Sequence, residues 1–176
     1  IPKMITLIGS TETGRQVMAQ GATSVKTYSL ELGGNAPCII MEDGDVETAA
    51  RLAVISQVSN TGQTCIGYNR IYVHESRYEE FCQKVLEGFQ KVTIGSGRDP
   101  GEMVMGPMIS PKERNRVLEL IEDAKSNGAK VLCGGDIPAG FEQGAFISPT
   151  LVTDVKEDMR ISREEIFGPV IAVRSY

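Results

Sequence analysis

The thiol of Cys65 stands in the stretch Asn60-Thr61-Gly62-Gln63-Thr64-Cys65-Ile66-Gly67, small and polar residues with a glycine on either side. Unpaired cysteines are among the most buried residue types, so a thiol in a glycine-flanked turn is placed where something can reach it. Backbone amides of a turn, or a helix N-terminus, favour the thiolate, which is the reactive form. Spacing alone leaves two readings open, a nucleophile or an inert turn cysteine.

Glu31 is the second candidate. It lies in "LELGGNAP", between Leu30 and Leu32 and just before Gly33 and Gly34. A carboxylate at that place is either a solvated charge at a strand end or a base beside glycines that let another backbone come close. The third candidate is "GSTETGRQ", Gly9 to Gln16, between a strand-like run and a helix start. The spacing of Gly9 and Gly14 fits a phosphate-binding P-loop, but Arg15-Gln16 replaces the lysine and hydroxyl that such a loop needs. The GxGxxG fingerprint lacks its middle glycine. What remains is a helix N-terminus with hydroxyl caps, where an anion is favoured.

The other ionisable groups carry less. Cys38 lies in the apolar run "APCIIM" and Cys82 on a helical stripe, so both read as core residues, and Cys133 sits beside a glycine turn. The four cysteines form no CxxC pair, and with a single histidine, His74, no metal site is expected. His74 follows "RIYV" and reads as a surface residue at a strand end. The 176 residues carry a net charge of -5 with no basic cluster, which argues against nucleic acid as a partner. No apolar run is long enough to span a bilayer, and the first residues do not have the form of a signal peptide. The thiols are expected to be reduced, in a cytoplasmic protein.

These candidates need elements to position them. "KMITLIG" reads as a strand, "STETGRQVMAQGA" as a helix, "VKTYSLELGG" as a strand and "APCIIM" as a short buried strand. In "DVETAARLAVISQVSN", Val46, Ala49, Ala50, Ala53 and Val54 share one helical face. The cysteine turn leads to the strand "RIYVH". The helix "SRYEEFCQKVLEGFQKV" follows, with Tyr78, Phe81, Cys82, Val85 and Phe89 at steps of three and four. A third helix opens at Ser110-Pro111 and stops before Gly128. "KVLCGG" reads as a short strand, "GAFISPTLVTDV" as a broken extended segment, and "EEIFGPVIAVRSY" as a closing apolar strand. Strands alternate with helices, so the fold class is α/β with a largely parallel sheet.

Taken together, "GSTETGR", "LELGGNAP", "NTGQTCIGYNR" and "EEIFGPV", with "MGPMIS" and "FISPTLVTDV" in order between the last two, resemble the NAD(P)-dependent aldehyde dehydrogenase superfamily over essentially the whole chain. The details of "ELGGNAP" and "NTGQTC" are similar to the succinate-semialdehyde, lactaldehyde and glycolaldehyde branches. The resemblance implies a catalytic domain with a mostly parallel sheet flanked by helices, over residues 33–176. Residues 1–32 would be the last piece of a Rossmann-like coenzyme-binding domain. It implies that Cys65 attacks an aldehyde carbonyl to form a thiohemiacetal, which loses hydride to NAD or NADP and becomes a thioester. Glu31 would activate the water that hydrolyses it. The Cys65 amide would form half of an oxyanion hole. Gly9 and Ser10 would approach the coenzyme pyrophosphate, Glu165 would bond the nicotinamide ribose, and Phe167 would pack near the nicotinamide.

Both ends read as cut. The family's second oxyanion donor, an asparagine, and a lysine that contacts the coenzyme ribose belong upstream of this sequence, so the isolated chain is expected to be inactive. Its parent is expected to be a homo-oligomer, a dimer or tetramer, acting on a small aldehyde. Three alternatives stand beside this reading. One is an enzyme that passes the thioester to coenzyme A, against which Glu31 argues. The second is a folded, non-catalytic interaction module. The third is a cysteine hydrolase built on Cys65 and His74.

Overall fold

The computed structural model describes residues 2–101 and 103–176. The chain divides into two compact units, one ending at Gly34 and the other beginning at Asn35.

The first unit is a single strand–helix–strand turn: β1 (Met4–Ile8), α1 (Thr11–Gly21) and β2 (Thr27–Glu31). The strands are parallel and paired from Met4 opposite Thr27 to Ile8 opposite Glu31. Helix α1 begins where the sequence places its cap. Ser10 is extended, and its hydroxyl oxygen accepts the Thr13 N–H at 3.1 Å, satisfying one of the amides left free at a helix start. The unit buries little: Met4, Met18 and Val25 are exposed, and Ile8 is 82% exposed.

The second unit holds β3 (Pro37–Ile40), α2 (Val46–Val58), β4 (Arg70–Val73), α3 (Tyr78–Phe89), β5 (Thr93–Ile94), β6 (Val104–Met105), α4 (Pro111–Ser126), β7 (Lys130–Cys133), β8 (Thr150–Thr153), α5 (Arg160–Arg163) and β9 (Val170–Ser175). Five of these strands form one sheet in the order β3-β4-β9-β8-β7. β3, β4, β9 and β8 run parallel, and β7 is an antiparallel edge. β5 and β6 form a separate short parallel pair.

Successive side chains of a strand point to opposite faces, and β9 shows the consequence. Ile171 and Val173 join a core with α2 and α3, among Ala50, Val54, Phe81 and Val85. Val170 and Ala172 join a second core with α4, among Val117, Ile121 and Val152. Helices thus cover both faces, which is why "VIAV" is apolar without alternation. The two helices over the first face, α2 and α3, expose Leu52 and Ile55 but bury the stripes expected from periodicity except for Ala49 and Tyr78, which are half-buried against the core. Helix α4 starts on Ser110, whose hydroxyl accepts the Glu113 N–H at 3.3 Å, with Pro111 in its first turn.

Three expectations need correction. "APCIIM" is not a buried strand but the edge β3: Ile40 is buried while Ile39 is 60% exposed. Cys38 is accordingly half-buried rather than a full core residue. An apolar run with one covered face cannot be told by composition from one with two. "EEIF" is not strand; β9 begins only at Val170, because Phe167 adopts a left-handed backbone (φ 51°) that breaks extension. "FISPTLVTDV" contains the fully buried strand β8, and the short elements β5, β6 and α5 carry no pattern long enough to read.

Phe81 is completely buried between the helices and the sheet. Phe81→Ala is therefore expected to destabilise the chain by about 3–5 kcal/mol. Urea unfolding followed by circular dichroism checks this; an unchanged midpoint would contradict the packing described.

Candidate active site

The approach to Cys65 is built from an uncommon backbone. After α2 comes a 3₁₀ turn, Ser59–Gly62, in which Asn60, Thr61 and Gly62 all have positive φ, at 51°, 58° and 68°. A β-branched residue is seldom found there, and each such residue costs about 1–3 kcal/mol unless its surroundings hold it. They do. Thr61 is 3% exposed, and its hydroxyl donates to the Gly106 carbonyl at 3.0 Å. The Asn60 amide donates to the Gln63 carbonyl at 2.8 Å. Gly62 admits no side chain, since a Cβ there would lie 2.2 Å from the Gly168 carbonyl oxygen.

The chain then makes a tight turn, closed by the Gly67 N–H on the Thr64 carbonyl at 3.1 Å. Cys65 is the second residue of this turn and is exposed. It does not stand at a helix N-terminus; it follows a helical turn. Among the described residues nothing accepts a hydrogen bond from its backbone N–H.

The "EEIFGPV" stretch is fastened beside this loop. Asn69, buried just before β4, donates through its side-chain amide to the Glu164 carbonyl (2.9 Å) and to the Asn35 side chain, and accepts the Ile166 N–H at 2.8 Å. From the other side the Arg116 guanidinium donates to the carbonyls of Glu165 (3.3 Å) and Ile166 (2.6 Å) while paired with Glu113 at 3.0 Å. Glu165 is half-buried, and Phe167 is 36% exposed with φ 51°. The structure therefore brings Cys65, Glu165 and Phe167 onto two loops in direct backbone contact through Gly62 and Gly168. Sequence reasoning missed Thr61, Gln63, Asn69 and Arg116. Each acts on backbone groups, so no partner residue type signals it.

In the first unit, Gly9, Ser10 and Glu31 come together at the carboxyl ends of β1 and β2. The Gly9 N–H donates to the Glu31 carbonyl at 3.0 Å, and the Glu31 side chain is exposed. His74 lies elsewhere. It follows the carboxyl end of β4, whereas the cysteine turn leads into the amino end, on the order of 10 Å away at strand rise. Its Nδ1 accepts the Ser76 N–H at 3.3 Å. A Cys65–His74 hydrolase pair has no basis in this geometry.

Comparison with known proteins matches residues 2–176 to the Aldehyde dehydrogenase family. The chain belongs to that family. It is 41% identical over 174 residues to a betaine aldehyde dehydrogenase of Brucella anthropi, covering 98% of this chain and 36% of that protein. An E. coli crystal structure described as an NADP dependent enzyme superposes with a TM-score of 0.94 at 41% identity, over 99% of this chain and 36% of that one. A Mycobacterium tuberculosis aldehyde dehydrogenase complexed with NAD+ superposes with a TM-score of 0.92 at 41% identity, with the same coverage. The chain thus spans about a third of the length of these relatives, and its α/β fold is theirs.

The thiols differ in ways that chemistry can read. Burial pushes the Cys82 thiol up to about 12 and raises those of Cys38 and Cys133 as well, whereas Cys65 is exposed. Iodoacetamide reacts with thiolates, so brief treatment of the folded chain near neutral pH is expected to label Cys65 well before Cys38 or Cys82. Peptide mapping by mass spectrometry reads the order; equal labelling of the three would contradict it.

Proposed function

We propose that the whole protein oxidises an aldehyde to a carboxylic acid with NAD or NADP, using Cys65 as nucleophile and Glu31 as general base. The observation that carries this reading is the exposed Cys65, with an unclaimed backbone amide, on a turn held by a strained and heavily bonded loop. The thiolate of Cys65 forms a carbon–sulfur bond to the carbonyl carbon, and the Cys65 N–H is available to the oxygen that becomes negative. When bound, a nicotinamide coenzyme supplies the hydride acceptor. Glu31 then takes a proton from water, which attacks the thioester carbon; the carbon–sulfur bond breaks and the thiol is restored.

The residues present fit such a coenzyme. The start of α1 offers free amides and a positive dipole end to a phosphate. A Cβ at Gly9 would meet nothing closer than 3.7 Å, an ordinary contact, so the unit itself leaves open space there. That space suits a pyrophosphate drawn close to the backbone beside Ser10. Glu165 would hold the nicotinamide ribose, and Phe167, set by its left-handed backbone, would border the ring. Among the similar structures, the Mycobacterium tuberculosis protein is complexed with NAD+ and the E. coli one is described as NADP dependent.

Residues 1–32 are on this reading the closing piece of the coenzyme domain, and 33–176 most of the catalytic domain. The whole protein is read as a cytoplasmic homo-oligomer, a dimer or tetramer, acting on a small aldehyde. Among the described residues no helix is long and apolar enough to cross a membrane. Transfer of the thioester to coenzyme A is the second reading; the exposed carboxylate of Glu31 favours water.

Two outcomes are expected. In the full-length protein, Glu31→Gln keeps the side-chain shape and removes its basicity, so deacylation should slow by ~10²–10⁴-fold. Stopped-flow mixing should show a burst of reduced coenzyme and a thioester trapped on Cys65; wild-type turnover would remove Glu31 from the mechanism. The 176-residue chain alone should not turn over aldehydes. Dinucleotides bind across two halves of a doubly wound sheet, and the first unit supplies two strands and one helix. Missing one oxyanion donor costs a further ~10²–10³-fold. Cys65-dependent formation of reduced coenzyme by the purified chain would overturn this.

A further inference from the structure

The residue that ties the cysteine turn to the rest of the second unit is Gln63, two positions before the thiol. Its side-chain oxygen accepts the Ile109 N–H at 2.9 Å, and its side-chain nitrogen donates to the Asn60 carbonyl at 2.9 Å. The first partner can only donate and the second can only accept, so the amide has one possible orientation. The same Asn60 carbonyl also takes the Gln63 backbone N–H at 3.1 Å, and the Asn60 amide returns a bond to the Gln63 carbonyl at 2.8 Å. Three of these bonds close the loop on itself. The fourth, to Ile109, reaches outside it, alongside the Thr61 bond to Gly106 in the same "MGPMI" stretch.

We propose that Gln63 is a positioning residue for the Cys65 thiol: its side-chain amide clamps the base of the turn between Asn60 and Ile109 and so fixes where the sulfur is presented. The role rests on Cys65 being the nucleophile. Beyond Gln63 the turn has only the Gly67–Thr64 bond within itself. Cys65 and Ile66 are both exposed, and the next firm anchor is the Tyr68 carbonyl, which accepts from the buried Gln57 amide at 2.8 Å. A turn held at one end and free at its tip depends on the clamp at its other end. A misplacement of about 1 Å at the reacting centre can cost ~10²-fold.

Every group bonded to the Gln63 amide is uncharged, which gives a test with a reversible arm. Gln63→Met in the full-length protein keeps the length and removes both side-chain bonds. Gln63→Glu keeps an acceptor for Ile109, but as a carboxylate it has no proton for the Asn60 carbonyl; once protonated it does. The expected result for Gln63→Met is a burst of reduced coenzyme slowed by ~10²-fold at all pH values, with aldehyde KM and coenzyme Kd unchanged. The Gln63→Glu burst, relative to wild type, should be slow above the carboxyl pKa and recover as pH falls below it. A wild-type burst in Gln63→Met overturns the proposal, even where Gln63→Glu is slow, because a charge effect alone would then explain the latter. Loss that extends to KM and coenzyme Kd, with no recovery of Gln63→Glu at low pH, makes Gln63 merely structural and overturns it too. Turnover retained in Cys65→Ser would overturn the nucleophile reading itself, separately from Gln63.

Discussion

The candidate site depends on one close approach, that of Gly62 to the carbonyl of Gly168. A side chain at position 62 would stand 2.2 Å from that oxygen, so the two backbones can meet only if residue 62 is glycine. The approach holds the chain in a left-handed bend from Asn60 to Gly62, and Phe167 next to Gly168 is left-handed as well. Such conformations persist only where surrounding contacts over-determine them. Here the contacts are a buried threonine hydroxyl on Gly106, the Asn69 amide on Glu164 and Ile166, and the Arg116 guanidinium on Glu165 and Ile166. The loop that presents Cys65 and the loop that presents Glu165 and Phe167 are thereby one mechanical piece.

Topology explains why stretches a hundred residues apart reach that point. The loop through Cys65 leads into β4, and the loop through Phe167 leads into β9; β4 and β9 are adjacent and parallel. Their preceding loops must therefore emerge at the same end of the sheet. Asn35 and Ala36 lead into β3, which pairs parallel with β4, so their backbone arrives at that end too and bonds Asn69 and Arg70. In the first unit the arrangement is reversed: Gly9, Ser10 and Glu31 lie at the carboxyl ends of β1 and β2, the end at which open α/β sheets bind their ligands.

Electrostatics sorts the four thiols along the same lines. Cys82 packs into the helix–sheet core, where burial disfavours a charged sulfur and its titration moves to about 12. Cys38 and Cys133 lie on the outer strands β3 and β7, half-covered, and burial moves them in the same direction. Only Cys65 has its sulfur on a turn outside both cores. On the proposal that Cys65 is the nucleophile, its selection among the four thiols is a matter of placement in the fold, with no histidine or lysine bonded to the sulfur among the described residues.

Much of this was legible in the sequence, and the division follows a physical line. Helices declared themselves through period and caps: Ser10 and Ser110 each bond an amide of the first turn, and the expected stripes of α2 and α3 face the core. The residues proposed for the chemistry could be named because a thiol in a glycine-flanked turn, or a carboxylate at a strand end before two glycines, is out of place by type, and the family resemblance then gave each a role. The edge position of β3 was not legible, since "PCII" and "VIAV" look alike and only neighbours in the sheet distinguish them. Nor was the scaffold of the site. Gln63, Asn69, Thr61 and Arg116 grip carbonyls and amides of residues that lie up to 97 positions away. A backbone group is the same for every residue type, so the recognition leaves no complementary letter to find. It follows that in a site of this kind reactive side chains can be named before the fold is known, whereas the amides that hold them can be named only after it.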